Sequence, residues 1–128
     1  MGDRETRAAL ERHWAASESG DYNVEHDIYQ DDAVLEYPQS GERFRGRPNI
    51  QAVRAGHPAK RHFLVDRILG SGDLWITEYV ITYDGKPLNT VSIMEFHDGR
   101  VARETQYFAD PFAPPAYRAK LLERTAKT

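Results

Sequence analysis

Two glutamates, a histidine and several tyrosines carry most of the chemistry this chain can offer. Its 128 residues include no cysteine, which removes thiol nucleophiles, thiolate metal ligands and disulfides. Glu78 and Glu104 each interrupt a run of alternating apolar residues. A carboxyl in apolar surroundings stays protonated to higher pH, and a like charge nearby raises one of a pair further. Such a group can serve as general acid or base near neutrality; on a wet sheet face the same residues would simply be solvated or ion-paired. His13 could shuttle a proton or orient a substrate oxygen, or be a hydrogen-bonded core histidine. Tyr37 and Tyr29 could donate hydrogen bonds to a ligand carbonyl. Gln106 and Asn89 would be fixed polar points, and Phe108 an apolar wall, of a largely apolar pocket.

Other patterns point to less. His57 and His62 flank Pro58 with no third metal ligand evident, so no metal site is expected. Arg43, Arg45 and Arg47 alternate, with Lys60 and Arg61 following. With a net charge of −3 they read as a solvated edge that discourages strand pairing, not as a nucleic-acid surface. There is no glycine-rich phosphate loop or nucleophile elbow.

These side chains must be positioned by helices first and strands after. Residues 3–19 read as a helix, with Asp3 as N-cap and Gly20 as stop. Leu10, His13, Trp14 and Ser17 share one face of it, which aims His13 at the buried stripe. Asp21 can cap a second helix that groups Val24, Ile28 and Tyr29 and ends at Asp31-Asp32. Ala33 to Tyr37 reads as a strand and Arg43 to Arg45 as its short return. Pro48 opens a third helix carrying Ile50 and Val53, closed by Gly56. Four strands follow, at about 61–69, 73–83, 87–97 and 100–108. Asp84-Gly85 and Asp98-Gly99 are two-residue hairpin signals. A Pro-rich passage from Asp110 then leads into a helix from Ala116 to about Thr125. The plan is a single α+β domain over 1–128, with its core at about 3–110 and the tail at about 110–127.

The hairpins set which residues share a face. Counting through both turns opposes Glu78 to Val91, Ile76 to Ile93, Val91 to Gln106 and Ile93 to Glu104. One face then holds Ile76, Glu78, Asn89, Val91, Glu104 and Gln106, and it is expected to line the interior. The opposite face, with Trp75, Tyr79 and Met94, would be covered by a partner. A single bulge would exchange part of the two sets.

The charged N-terminus holds no apolar run, so no membrane span is expected and a cytoplasmic location is the default.

Tyr29-x-Asp31-Asp32-Ala33-x-x-Glu36-x-Pro38, then Phe44-x-Gly46-Arg47-x-x-Ile50, then Asp98-Gly99-Arg100-Val101 and Tyr107-Phe108 together resemble the nuclear transport factor 2-like superfamily. The branch is that of the SnoaL-like polyketide cyclases and ketosteroid isomerase-like proteins. The resemblance implies a cone-shaped curved antiparallel sheet wrapped over N-terminal helices, one deep pocket, and commonly a homodimer. It also exposes departures. The isomerase base position falls at Tyr37, its oxyanion-hole tyrosine at His13, and its oxyanion-hole acid near Ser92 or Val91. A tyrosine is a poor base at neutral pH, so steroid isomerisation is not expected. What the resemblance implies instead is proton transfer beside a carbonyl in a small hydrophobic molecule, by Glu104 or Glu78, with His13, Tyr37 and Gln106 holding the oxygen. No cofactor is implied. The alternatives are a non-catalytic binder of an apolar metabolite, or a module that dimerises through its outer sheet face.

Overall fold

The computed structural model describes residues 2–125. Helix α1 (Asp3–Ser19) buries Leu10, His13, Trp14 and Ser17 on one stripe, as their spacing requires. Gly2, not Asp3, holds the N-cap position, with the Glu5 side chain reaching back to its N–H. Asp3 instead accepts a hydrogen bond from the Gly72 backbone at 3.0 Å, fastening α1 to a distant hairpin. The helix stops at Gly20, whose φ of 79° few other residues tolerate.

Helix α2 (Tyr22–His26) is capped by Asp21, which accepts from Val24 N–H at 3.2 Å. It ends well before the expected Asp31. Strand β1 (Tyr29–Tyr37) has already begun at Tyr29, and Asp31 and Asp32 lie exposed in its irregular middle. Val24 is only partly buried, while Glu25 and His26 are buried. Strand β2 (Glu42–Arg45) returns along β1, and helix α3 (Arg47–Ala55) follows with Pro48 in its first turn. Ile50 and Arg54, four residues apart, face inward together.

Strands β3 (Arg61–Ser71), β4 (Leu74–Tyr83), β5 (Lys86–His97) and β6 (Arg100–Ala109) form the expected meander. The six strands lie in the order β2-β1-β6-β5-β4-β3, in one curved, unclosed sheet. All pairs are antiparallel except β1 with β6, where Leu35 lies beside Glu104. That parallel pair closes the longest loop in the fold and sets Tyr29 and Tyr37 next to the inward residues of β6. Helix α1 packs against β3 and α3 against β1.

Both predicted hairpins form. Asp84 and Gly85 have φ of 49° and 84°, and Asp98 and Gly99 have 51° and 80°, the positive pair that a type I′ turn needs. The β4–β5 register is as expected, with Ile76 opposite Ile93 and Glu78 opposite Val91. The β5–β6 register is not. Ser92 faces Gln106 and Met94 faces Glu104, because Glu95 pairs with Arg103 while Phe96 pairs with Val101. Ala102 is thus an extra residue on β6, a bulge that shifts parity by one.

The bulge exchanges the expected faces of β4 and β5. Trp75, Thr77, Tyr79, Ser92 and Met94 are buried in the interior, so Trp75, Tyr79 and Met94 cannot form an outer interface. Glu78 and Asn89 lie on the outer face, contrary to expectation. Glu78 pairs there with Arg67 and Asn89 is exposed. Glu104, Gln106 and Phe108, beyond the bulge, point inward as expected.

The expected C-terminal helix reduces to a single 3-10 turn at Ala116–Arg118. Phe112, Tyr117 and Leu121 are largely exposed. A helix this short is marginal without an apolar face to pack, and these side chains find none here. Residues 126 and 127 of the expected tail lie outside the described residues.

Candidate functional site

The interior polar groups converge on Arg54. Helix α3 presents its guanidinium to the inner face of β1 and β6. Nη2 donates to Glu104 Oε1 at 2.9 Å and to Gln106 Oε1 at 3.0 Å, and Nη1 donates to the Tyr29 hydroxyl at 2.6 Å. Tyr29 in turn donates to Glu104 Oε1. Gln106 passes the network on, its amide N–H donating to the Tyr79 hydroxyl at 2.6 Å and to Ser92 Oγ at 3.0 Å. Tyr29, Tyr79, Ser92 and Glu104 are fully or almost fully buried. An ion pair removed from water this completely holds only if its hydrogen bonds are met. Here one carboxylate oxygen is fully engaged, while Glu104 Oε2 has no partner among the described residues.

The ionisation follows from this packing. Burial pushes the Glu104 carboxyl up, but the Arg54 charge, His13 and the hydrogen bonds from Tyr29 and Arg54 outweigh it. The carboxyl is held below its ordinary value of 4.5. Burial drives Tyr29 and Tyr79 upward, so both remain protonated. Glu104 is therefore an anion with weakened basicity, the opposite of the raised carboxyl that proton transfer near neutrality would use.

His13 lies on the buried face, where helix spacing put it. Its Nδ1–H donates to the Glu25 carbonyl at 2.6 Å, and its ring meets Trp14 and Tyr29 edge-on. Burial, foremost, lowers its pKa below 6.5, and Arg54 adds to the effect against Glu104 and Glu25. The imidazole is neutral and anchored to α2. Glu25 is itself buried, accepting from Ser17 Oγ at 2.8 Å.

A cleft of about 500 Å³ opens between α3 and the inner face of the sheet. Val53, Arg54 and His57 reach it from α3 and the loop beyond, Tyr37 from β1, and Leu88 and Phe108 from β5 and β6. Beneath it lies a void of about 30 Å³ that shares Tyr37, Arg54, Arg61, Tyr83 and Phe108 with the cleft and adds Gln106 and Glu25. Gln39 fixes the rim: its amide oxygen accepts from Phe108 N–H at 2.7 Å and its amide nitrogen donates to the Phe108 carbonyl. Tyr37 packs edge-on against Phe44 and Phe108, with ring centroids 5.4 and 5.3 Å away. Burial raises its pKa, so it too is a hydroxyl donor.

Of the residues expected at a site, Tyr29, Glu104 and Gln106 meet in one network, and Tyr37 and Phe108 line the cleft above it. His13 is buried beside this network. Glu78 and Asn89 are on the other side of the sheet. His57 and His62 separate, His57 stacking on Tyr83 at 4.3 Å and His62 bonding to Glu18. Sequence reasoning missed Arg54, yet its signal was present: it stands one helical turn after Ile50, on the same face. The roles of Tyr79 and Ser92 were hidden by the bulge.

Comparison with known proteins agrees with this fold. Residues 10–104 match the family model of the SnoaL-like domain. No curated protein matches significantly. A crystal structure from Burkholderia xenovorans LB400, an NTF-2 like protein of unknown function, is 54% identical, with a TM-score of 0.92 over 98% of this chain and 99% of its own. One from Kribbella flavida DSM 17836, provisionally named a ketosteroid isomerase, is 26% identical, with a TM-score of 0.88 over 99% and 95% of the two chains. An LEH-like epoxide hydrolase from M. tuberculosis, 22% identical with a TM-score of 0.65 over 82% and 83%, shares the fold. With the family model spanning most of the chain and the cone-and-helix architecture in place, this protein belongs to the SnoaL-like family of the nuclear transport factor 2-like superfamily.

Proposed function

We propose that the cleft holds a small, mainly apolar molecule with a carbonyl oxygen turned toward Arg54 and Tyr37. The observation that carries this reading is the double position of Arg54. It is fixed from below by Glu104, Gln106 and Tyr29, and it also lines the open cleft. A pre-positioned cation and a hydroxyl at the floor of a recess walled in part by Val53, Leu88 and Phe108 are what a carbonyl or a developing enolate oxygen requires. Glu104 acts in this reading as a positioning residue: it lies beneath Arg54 and its basicity is lowered. His13 supports the floor from α1. The geometry thus favours holding and polarising an oxygen over proton transfer by a carboxylate.

Ligand-observed NMR against a panel of small cyclic ketones and the matching hydrocarbons tests the reading. Ketones should bind, and Tyr37→Phe should weaken them several-fold while leaving the hydrocarbons unchanged. Failure of every ketone to bind at millimolar concentration sinks it. Exchange of α-protons in heavy water, abolished in Glu104→Gln with ketone binding intact, would instead restore a carboxylate mechanism.

We also propose that a second copy covers the outer sheet face. Ile76, Val80, Val91 and Ile93 are only half-buried there, and Leu64, Leu69, Leu74 and Tyr107 are exposed. A contiguous apolar face of this kind is unusual on a solitary domain.

A further inference from the structure

Arg61 begins β3 and lines both the cleft and the void beneath it. Its guanidinium lies 5.7 Å from the Tyr22 ring and 5.5 Å from the Phe63 ring, and it donates weakly to the Tyr22 hydroxyl at 3.4 Å. These contacts orient it without neutralising it. Among the described residues it makes no ion pair with a carboxylate, whereas the charge of Arg54 is balanced by Glu104.

The other polar groups of the cleft are mostly donors. Tyr37 and Tyr83 are held as hydroxyls by burial. His57 Nδ1 accepts the Ala59 N–H at 3.1 Å, which leaves the proton on Nε2. Both ends of the Gln39 amide are spent on Phe108. Glu42 is the one carboxylate lining the open cleft among the described residues. It is exposed and already accepts from Ser40 at 2.5 Å. Glu25 faces the inner void and is engaged by Ser17. A site rich in donors, with one uncompensated guanidinium, is left unsatisfied by a ligand whose only polar atom is a ketone oxygen.

We infer that the ligand is an apolar carboxylic acid, bound as the carboxylate by Arg61 with its hydrocarbon body against Val53, Leu88 and Phe108. The inference rests on the pocket reading above and narrows it to one class of molecule. A planar guanidinium offers parallel N–H donors that match a carboxylate and not an amide.

Isothermal titration of the full chain with phenylacetate and its uncharged counterpart phenylacetamide decides the matter. Phenylacetate should bind about tenfold more tightly or better, and added salt should narrow the gap. Arg61→Gln should abolish the preference, weakening phenylacetate far more than phenylacetamide. Arg61→Lys, which keeps the charge and loses the fork, should retain part of it. Circular dichroism on both variants verifies the fold. Equal affinity for acid and amide, or a preference that survives Arg61→Gln, overturns the carboxylate assignment and leaves the pocket reading standing. Failure of both compounds and of the ketone panel to bind overturns the two together.

Discussion

Arg54 Nη2 lies 2.9 Å from Glu104 Oε1, joining the third helix to the last strand across 50 residues of sequence inside the protein. Both side chains are almost wholly removed from water. Breaking such a pair leaves a buried charge uncompensated, at a cost of about 3–5 kcal/mol. Glu104→Gln and Arg54→Met should each lower stability by about that amount. The double variant Arg54→Met/Glu104→Gln should lose much less than the sum, since neither charge then remains. Urea denaturation of the four proteins checks this, and strict additivity would contradict it.

Stability should fall as the medium becomes acidic, beginning at the histidines. His13 and His26 both have pKa values lowered, chiefly by burial, from an ordinary 6.5. Below that value the unfolded chain takes up protons that the folded chain refuses, so acid favours unfolding. Their contribution is fully present above about pH 6.5 and declines below it, by at most about 1.4 kcal/mol per pH unit for each proton withheld. Glu104, also lowered, adds a further loss once the pH drops below 4.5, where the unfolded carboxylate protonates first. Urea midpoints across this range test the sign. A midpoint unchanged between neutral pH and about pH 5 would be inconsistent with two buried neutral histidines.

Gly70 should tolerate no side chain. A Cβ there would stand 2.4 Å from the Leu74 carbonyl oxygen and 2.8 Å from Trp75 Cα, and the residue has φ of 154°. Backbone atoms of the paired strand cannot swing aside as a side-chain tip can. Gly70→Ala should cost about 1–3 kcal/mol, read as a lowered melting temperature. Gly72→Ala, two residues on, provides a contrast, because its Cβ meets nothing within 4 Å and only its φ of 59° opposes it.

Glu78→Gln should leave ligand binding unaltered. Its partner Arg67 is on the outer face of the sheet, away from the cleft, the face proposed above to meet a second copy. A marked loss of binding in Glu78→Gln would mean that the strand face is assigned wrongly.

Ile93→Lys should separate the dimer without unfolding the monomer. Ile93 sits between Ile76 and Thr105 on the outer face, away from the interior network. Wild-type protein should sediment at twice 14.7 kDa and the variant at 14.7 kDa, with matching circular dichroism. A wild-type monomer at micromolar concentration would dispose of the proposal.

The elements were legible because their signals are local. The stripe Leu10-His13-Trp14-Ser17 needs only helix periodicity, and Asp84-Gly85 and Asp98-Gly99 announce hairpins through the backbone angles they permit. The early end of α2 was not legible, since Asp31 and Asp32 resemble a turn and are carried within β1 only because Tyr29 before them and Val34 to Glu36 after them pair with β6. The expected C-terminal helix failed for the related reason that its apolar residues find no surface to cover.

The site divides along the same line. Residue types alone determined that any chemistry here rests on carboxylates, histidine and tyrosine, and the order of motifs pointed to a cone with a pocket. Which carboxylate lies inside was decided by one extra residue at Ala102. A strand alternates with period two, so a single bulge moves every residue before it to the opposite face relative to its neighbour. That step carried Glu78 and Asn89 outward, brought Tyr79 and Ser92 in beside Gln106, and left Glu104 where the chain could bury it only by bringing Arg54 from the far end of α3. A charge inside needs a partner, and only the closed fold selects which one.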